Sequence, residues 1–256
     1  MSKILIFDIE SAPSQAYVWG AWKQNIGLVM DIQPEGYIMS IAYKWLDSPE
    51  VHYLENRTEN DKKLMKDFVK VLDEADFVVA HNGVKFDVPM IKARLAIHGI
   101  PPPSPFKTID TLKIAKKEMR FRRNSLEHLA EVLSCNHKKL KHGQFPGFKL
   151  WSECMKGNDE AWQEMKLYNE FDVIVLEEVY KKLRPFASNH PNVNTMSDPE
   201  VMNCSRCGSE NVIKGGYYFT NKGKYPRFKC KDCGGHCSGT YTVNTIENRK
   251  ALLASR

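Results

Sequence analysis

Short apolar blocks alternate with polar ones along the first two thirds of the chain. The opening run, KILIFDIES at residues 3–11, is apolar enough to read as a strand buried on both faces, and it ends with Asp8 and Glu10. Side chains two apart on a strand project to the same side, so these two acids share a face. GYIMSIAYKWL (36–46) and VHYLE (51–55) read as two further strands joined by the turn DSPE. A helix follows over residues 61–73, with Leu64, Met65, Phe68, Val71 and Leu72 on one side. DFVVAHN (76–82) reads as a fourth strand, and residues 87–99 as a helix that stops at Gly99 and the prolines 101–103. Residues 107–119 give a short strand and a helix, and residues 125–133 a further helix. The stretch 134–157 reads as irregular, with Phe145, Phe148 and Trp151 among Lys138, Lys139, Lys141 and Lys149, and a long helix covers 158–183. The pattern predicts a mixed α/β sheet flanked by helices.

Composition narrows the setting. With 256 residues, 42% of them hydrophobic, the chain can bury a full core. No run of about 18 apolar residues proposes a membrane span. The first residues enter a strand directly, without the pattern of a secretory leader, so the expected location is the cytoplasm. Net charge is +6 but unevenly spread: residues 111–149 hold ten Lys or Arg against three acids, and residues 200–256 ten against four. Two basic blocks beside an acidic remainder favour a polyanionic partner such as nucleic acid.

The long helix carries the next clue. Met165, Tyr168, Asp172, Leu176, Val179 and Leu183 follow the spacing of an inward stripe, and Asp172 stands where that stripe calls for an apolar residue. A buried carboxylate needs a cation, either a Lys or Arg side chain or a metal ion. Asp87, in HNGVKFDVP at the end of the fourth strand, fits a helix N-cap equally well. Asp110, in TIDTL, is a rival carboxylate with the same N-cap alternative. Should Asp8, Glu10, Asp87 and Asp172 converge, they are the natural ligands of Mg²⁺ or Mn²⁺, and a pair of such ions supports phosphodiester hydrolysis.

FDIES, NGVKFD and YNEFD, in that order and spacing, resemble the three motifs of the DEDD exonuclease superfamily, whose domains have the RNase H-like fold. The resemblance covers residues 1–185, and DTLKIAKK followed by SLEHLAEVL resembles the stretch between the second and third motifs. It implies a five-stranded mixed sheet and two Mg²⁺ or Mn²⁺ per active site. Asp8, Glu10 and Asp172 would ligate one ion; Asp8 would also hold the second, with Asp87 acting there largely through water. Tyr168 precedes Asp172 by four, while Leu167 stands at the position that a histidine fills in the other class, so the chain resembles the tyrosine class. Tyr168 would then orient the attacking water. Asn82 and Phe86 of the second motif are expected near the terminal nucleotide, although an Asn at a strand end also serves to turn the chain. His81 reads as structural. Trp19 and Trp22 either stack on a terminal base or fill the core. The implied activity is a 3′-to-5′ exonuclease acting on DNA or RNA, with single-stranded 3′ ends the expected substrate. A structure-selective endonuclease on the same fold and a non-catalytic nucleic-acid adaptor are the alternatives.

Beyond residue 185 the chain changes character. Residues 186–199, preceded by Pro185, hold two more prolines and little periodicity, and read as a linker to a small unit over 200–243, followed by a polar tail, 244–256. Cys204-Ser-Arg-Cys207-Gly and Cys230-Lys-Asp-Cys233-Gly form paired knuckles with 22 residues between them. That spacing predicts a β zinc ribbon with one structural Zn²⁺ on four thiolates, the alternative being redox-active pairs. His236 and Cys237 are spare donors, and Cys135 and Cys154 read as ordinary apolar residues. Between the knuckles, Tyr217, Tyr218, Phe219, Tyr225 and Phe228 alternate with Lys222, Lys224, Arg227 and Lys229. Aromatic faces for bases and cations for phosphates, Lys224 and Arg227 among them, make this a candidate contact for nucleic acid, the alternative being a ribbon packed by its own aromatics.

Overall fold

The computed structural model describes residues 2–20, 22–23, 25, 35–138, 143–195 and 201–253. Lys139 and Lys141 of the basic stretch, residues 196–200 and residues 254–256 lie outside these. The chain divides into two compact units, Lys3–Tyr180 and Lys181–Arg256 with Met1–Ser2.

The larger unit is built on a five-stranded sheet. Its strands are β1 (Ile4–Ser11), β2 (Ile38–Trp45), β3 (His52–Glu55), β4 (Phe77–Ala80) and β5 (Lys107–Asp110), in the order β3-β2-β1-β4-β5. β1 pairs antiparallel with β2 and parallel with β4; β3 is antiparallel to β2, and β5 parallel to β4. The helices are α1 (Lys62–Asp73), α2 (Asp87–Ile97), α3 (Thr111–Glu118), α4 (Leu126–Val132), α5 (Lys149–Met155) and α6 (Asp159–Leu183). α5 lies in the stretch read from sequence as irregular. It is only seven residues long; Leu150 and Cys154 are buried one turn apart, with Trp151 and Met155 packed beside them, and the surrounding lysines obscure this signal.

The alternation along β1 decides where everything else goes. Leu5, Phe7 and Ile9 join Phe68, Leu72, Ile91 and Leu95 of α1 and α2 in one core cluster. Asp8 and Glu10 therefore point to the other face. There a second cluster forms from Met39, Phe145, Leu150, Trp162 and Met165. In the ladder with β2, Asp8 lies opposite Ala42 and Glu10 opposite Ser40. Two small partners leave room over the acids for side chains from α6.

Two buried ionic clusters fix the helices on the sheet. Asp61 does not cap α1; its carboxylate receives Arg94 in a two-pronged contact (2.8 Å on each prong), His98, and the backbone N–H of Ile38 at 2.9 Å. Burial works against the charged form, but these donors outweigh it and hold the Asp61 carboxyl below its ordinary range. On α6, Glu177 pairs with Lys44 of β2 and accepts the N–H of Asp47 at 2.9 Å. The Lys44 contact anchors the C-terminal half of α6 to β2, the strand beside the acids.

The smaller unit holds a three-stranded sheet of β6 (Val212–Thr220), β7 (Gly223–Cys230) and β8 (His236–Ser238), in that order and antiparallel. In the stretch read as linker, the backbone N–H of Val193 donates to Ser205 O at 2.9 Å, and Ala187 O accepts from Arg206 Nε at 3.1 Å. In the stretch read as polar tail, Ile246–Ala251 forms a helix, α7, capped by Thr245. Among the described residues no helix is long and apolar enough to cross a membrane.

Candidate active site

β1 and α6 bring three of the expected acids together. Asp8, Glu10 and Asp172 each offer a carboxylate oxygen, and these atoms lie within 4.8 Å of one another. Asp172 is 3% exposed; the other two are partly open. Every residue of the predicted α6 stripe is buried, from Met165 to Leu183. Three carboxylates so close repel one another, and an all-oxygen donor set at this spacing suits a hard divalent cation.

Two neutral donors orient the acids. Asn169 Nδ2 donates to Asp8 Oδ2 at 2.9 Å, while its own Oδ1 accepts from Ser40 Oγ at 3.1 Å. Trp151 Nε1 donates to Glu10 Oε2 at 3.0 Å. The same indole meets the ring of Tyr168 edge-on, with centroids 5.8 Å apart. Neutral N–H groups fix a carboxylate without adding the charge of a Lys or Arg that would compete with a cation. Sequence reasoning missed both residues in this role. For Asn169 a signal existed: it lies three before Asp172 on the inward side of α6, a second polar residue in an apolar stripe. Trp151 carried none beyond its place in an aromatic-rich loop.

Asp87 stands outside the trio. It opens α2, is 3% exposed, and its carboxylate accepts the N–H of Ile9, which β4 no longer pairs because it stops at Ala80. Burial outweighs that hydrogen bond and one from its own N–H, the charge of Asp110 adds to the burial, and the Asp87 carboxyl is pushed up to about 7. Gly83 makes the close approach of this loop possible, since a Cβ there would lie 2.4 Å from Ala80 Cβ.

The remaining expected residues divide by exposure. Asp110 caps α3 through the N–H groups of Leu112 and Lys113, and also accepts from Asn82 and Val84, so its N-cap alternative holds. Asn82 turns the chain with a left-handed φ of 68°. His81 is held between Thr111 Oγ1 and Asn124 O, both at 2.9 Å, a structural place. Phe86 is 47% exposed. Trp19 and Trp22 project into solvent, so of their two alternatives core filling is excluded. Leu167 is also exposed, while Tyr168, one residue on, is buried.

In the smaller unit Cys204, Cys207, Cys230 and Cys233 form the second cluster, again with ligand atoms within 4.8 Å of one another. The two knuckles repeat one turn: Gly208 and Gly234 both adopt positive φ, and their N–H groups donate to the carbonyls of Cys204 and Cys230. The Sγ atoms of Cys204 and Cys233, and of Cys207 and Cys230, are 3.7 Å apart. A tetrahedron with metal–sulfur bonds of about 2.3 Å has edges of about 3.8 Å, so the cluster fits zinc. Burial works against the Cys230 thiolate, but the N–H groups of Cys233 and Asp232 outweigh it and hold that thiol down at about 7. Cys237 Sγ lies 3.8 Å from Cys204 Sγ and 3.1 Å from Ser205 Oγ, a fifth sulfur beside the cluster.

Comparison with known proteins agrees with this architecture. Over 79 residues the chain is 34% identical to a DNA polymerase of Methanocaldococcus jannaschii, an overlap of 31% of this chain and 4% of the polymerase. The fold is similar to that of the family B DNA polymerase from the hyperthermophilic archaeon Pyrobaculum calidifontis, with a TM-score of 0.53 and 16% identity over 73% of this chain and 26% of that one. The chain thus spans a small part of either polymerase, and at 16% identity the second likeness is one of fold. Residues 30–184, more than half of the sequence, match the RNase_H superfamily, to which this chain belongs.

Proposed function

We propose that the larger unit is a divalent-metal-dependent 3′-to-5′ exonuclease of the tyrosine DEDD class, removing terminal nucleotides as nucleoside monophosphates. The observation that carries the reading is the approach of Asp8, Glu10 and Asp172 to within 4.8 Å beside Tyr168. In this reading Asp8, Glu10 and Asp172 would hold Mg²⁺ or Mn²⁺, and Asp87 would contribute to holding a second ion. When bound, the ions neutralise the scissile phosphate and lower the pKa of the attacking water. Asn169 and Trp151 hold the carboxylates in place. Tyr168, packed against the indole of Trp151, orients the water for attack on phosphorus as the bond to the 3′ oxygen breaks. Asn82, Phe86, Trp19 and Trp22 receive the terminal nucleotide. The outward position of Leu167 supports the tyrosine class, because a histidine there would face away from the acids. In the smaller unit the four cysteines hold a structural Zn²⁺.

Incubating the protein with Mg²⁺ and oligonucleotides labelled at either end, beside a circular single strand, tests this. Stepwise loss from the 3′ end with the circle intact is expected, and Asp8→Ala and Asp172→Ala should each abolish it while the fold persists. Degradation of the circle would establish the endonuclease alternative. Wild-type rates in either variant would remove the trio from the mechanism, and binding without any metal-dependent turnover would leave a nucleic-acid adaptor.

A further inference from the structure

The β6–β7 hairpin carries an aromatic and cationic face that the nuclease reading does not use. Tyr217 and Phe219 are two residues apart on β6 and so share a side; they are 38% and 67% exposed. Lys224 of β7 lies directly opposite Phe219, and its Nζ sits 3.9 Å from the ring centre of Tyr217 and 5.7 Å from that of Phe219. Lys214 approaches the Tyr217 ring as well, at 5.5 Å. Three residues apart on a regular strand, Lys214 and Tyr217 would face opposite ways. The register shift between them brings both to one side. Gly216 supplies the positive φ of that bulge, at +88°, and Arg227 Nε braces it by donating to Gly215 O at 2.8 Å.

We propose that this face is a binding site for single-stranded nucleic acid, with bases stacked on Tyr217 and Phe219 and phosphates held by Lys214 and Lys224. The charge of the unit fits the occupant: residues 201–243 hold seven Lys or Arg against two acids, an excess that survives the two net negative charges of a zinc–tetrathiolate site. Lys214 is exposed and Lys224 half-buried; both rest on the rings as cations and can move to phosphate when a strand arrives, which uncovers the rings for bases. The ring spacing selects the strandedness. Residues two apart on a strand are separated by roughly 7 Å, about twice the 3.4 Å step of stacked bases. A strand bound here must therefore be unstacked, which a duplex does not allow.

The test uses the full-length, zinc-loaded chain with Asp172→Asn to prevent cleavage, so its failure and failure of the exonuclease reading are separate results. Fluorescence anisotropy with oligothymidylate and with a blunt duplex should show preference for the single strand. Tyr217→Ala with Phe219→Ala should weaken single-strand binding by at least about tenfold, while tryptophan at both positions should keep it. Lys214→Ala with Lys224→Ala should flatten the dependence of log affinity on log salt by about 1.4. A 5-iodouracil oligonucleotide should photocrosslink within residues 214–224. Equal affinity for the duplex, unchanged binding in the alanine pair, loss in the tryptophan pair, or crosslinks confined to other residues would overturn the proposal.

Discussion

The two clusters of metal-ligand residues sit on opposite kinds of ground. The carboxylates belong to a unit with two extensive core clusters, where Phe7, Phe68, Met39 and Trp162 are wholly or almost wholly buried. Between residues 201 and 253 the buried side chains are two, Cys204 and Cys230, both members of the cluster itself. The first unit folds around hydrocarbon and carries its acids as an added load. The stretch 201–253 has little to fold around except the sulfur cluster. Side chains able to ligate an ion, gathered within 4.8 Å of one another, thus sit on an independent core in one place and make up most of the core in the other.

Breaking the cysteine cluster tests that contrast most severely. Structural zinc contributes about 10–16 kcal/mol of apparent binding energy in small units, so Cys204→Ser or chelation should abolish hydrogen-exchange protection across β6–β8 and leave β1–β5 protected. Loss of both units together would show that the contrast is false. Next in size is Arg94→Ala, which strands the Asp61 carboxylate in the interior and should cost about 3–5 kcal/mol in denaturant unfolding. The same carboxylate has a pH signature. Its folded pKa is depressed, so its contribution is fully present above the unfolded value and is lost as pH falls through the folded one. Thermal melts should show wild type losing stability over that acid window more steeply than Asp61→Asn.

Smaller effects probe the acids. Asn169→Ala removes the donor to Asp8 and the partner of Ser40; a 10–100-fold weaker Mn²⁺ affinity is expected by electron paramagnetic resonance. Trp151→Phe keeps the ring against Tyr168 but deletes the hydrogen bond to Glu10. It should cost about 1 kcal/mol of stability and raise the Mg²⁺ needed for half-maximal cleavage. If stability falls in both variants with Mn²⁺ affinity unchanged, the two donors serve packing alone.

Much of this arrangement is legible in the sequence because the informative residues break a period. Asp172 interrupts an apolar helical stripe, and Asp8 and Glu10 end an apolar strand; each violation marks a place where function overrides burial. The paired Cys-x-x-Cys-Gly turns are local and need no tertiary information. What stayed hidden depends on long-range contact. The bond from Trp151 to Glu10 joins residues 141 apart, and nothing in the loop announces it. Asp87 and Asp110 read alike as helix caps, and only the structure separates them: one carboxylate holds a loop and a helix start, and the other lies against the backbone of β1.

The alternation along β1 has a consequence for errors in folding. Leu5, Phe7 and Ile9 face one layer while Asp8 and Glu10 face the other, so a slip of β1 by one residue exchanges the two sets. Two carboxylates would then enter the hydrocarbon around Phe68 and Leu95, and three apolar side chains would take their place on the face toward Asn169 and Asp172. Such a chain would be too unstable to persist as a folded, misaligned copy. Assembly of the core and alignment of the acids are proofread by one register, so protein that survives to be counted as folded is protein whose acids point the right way.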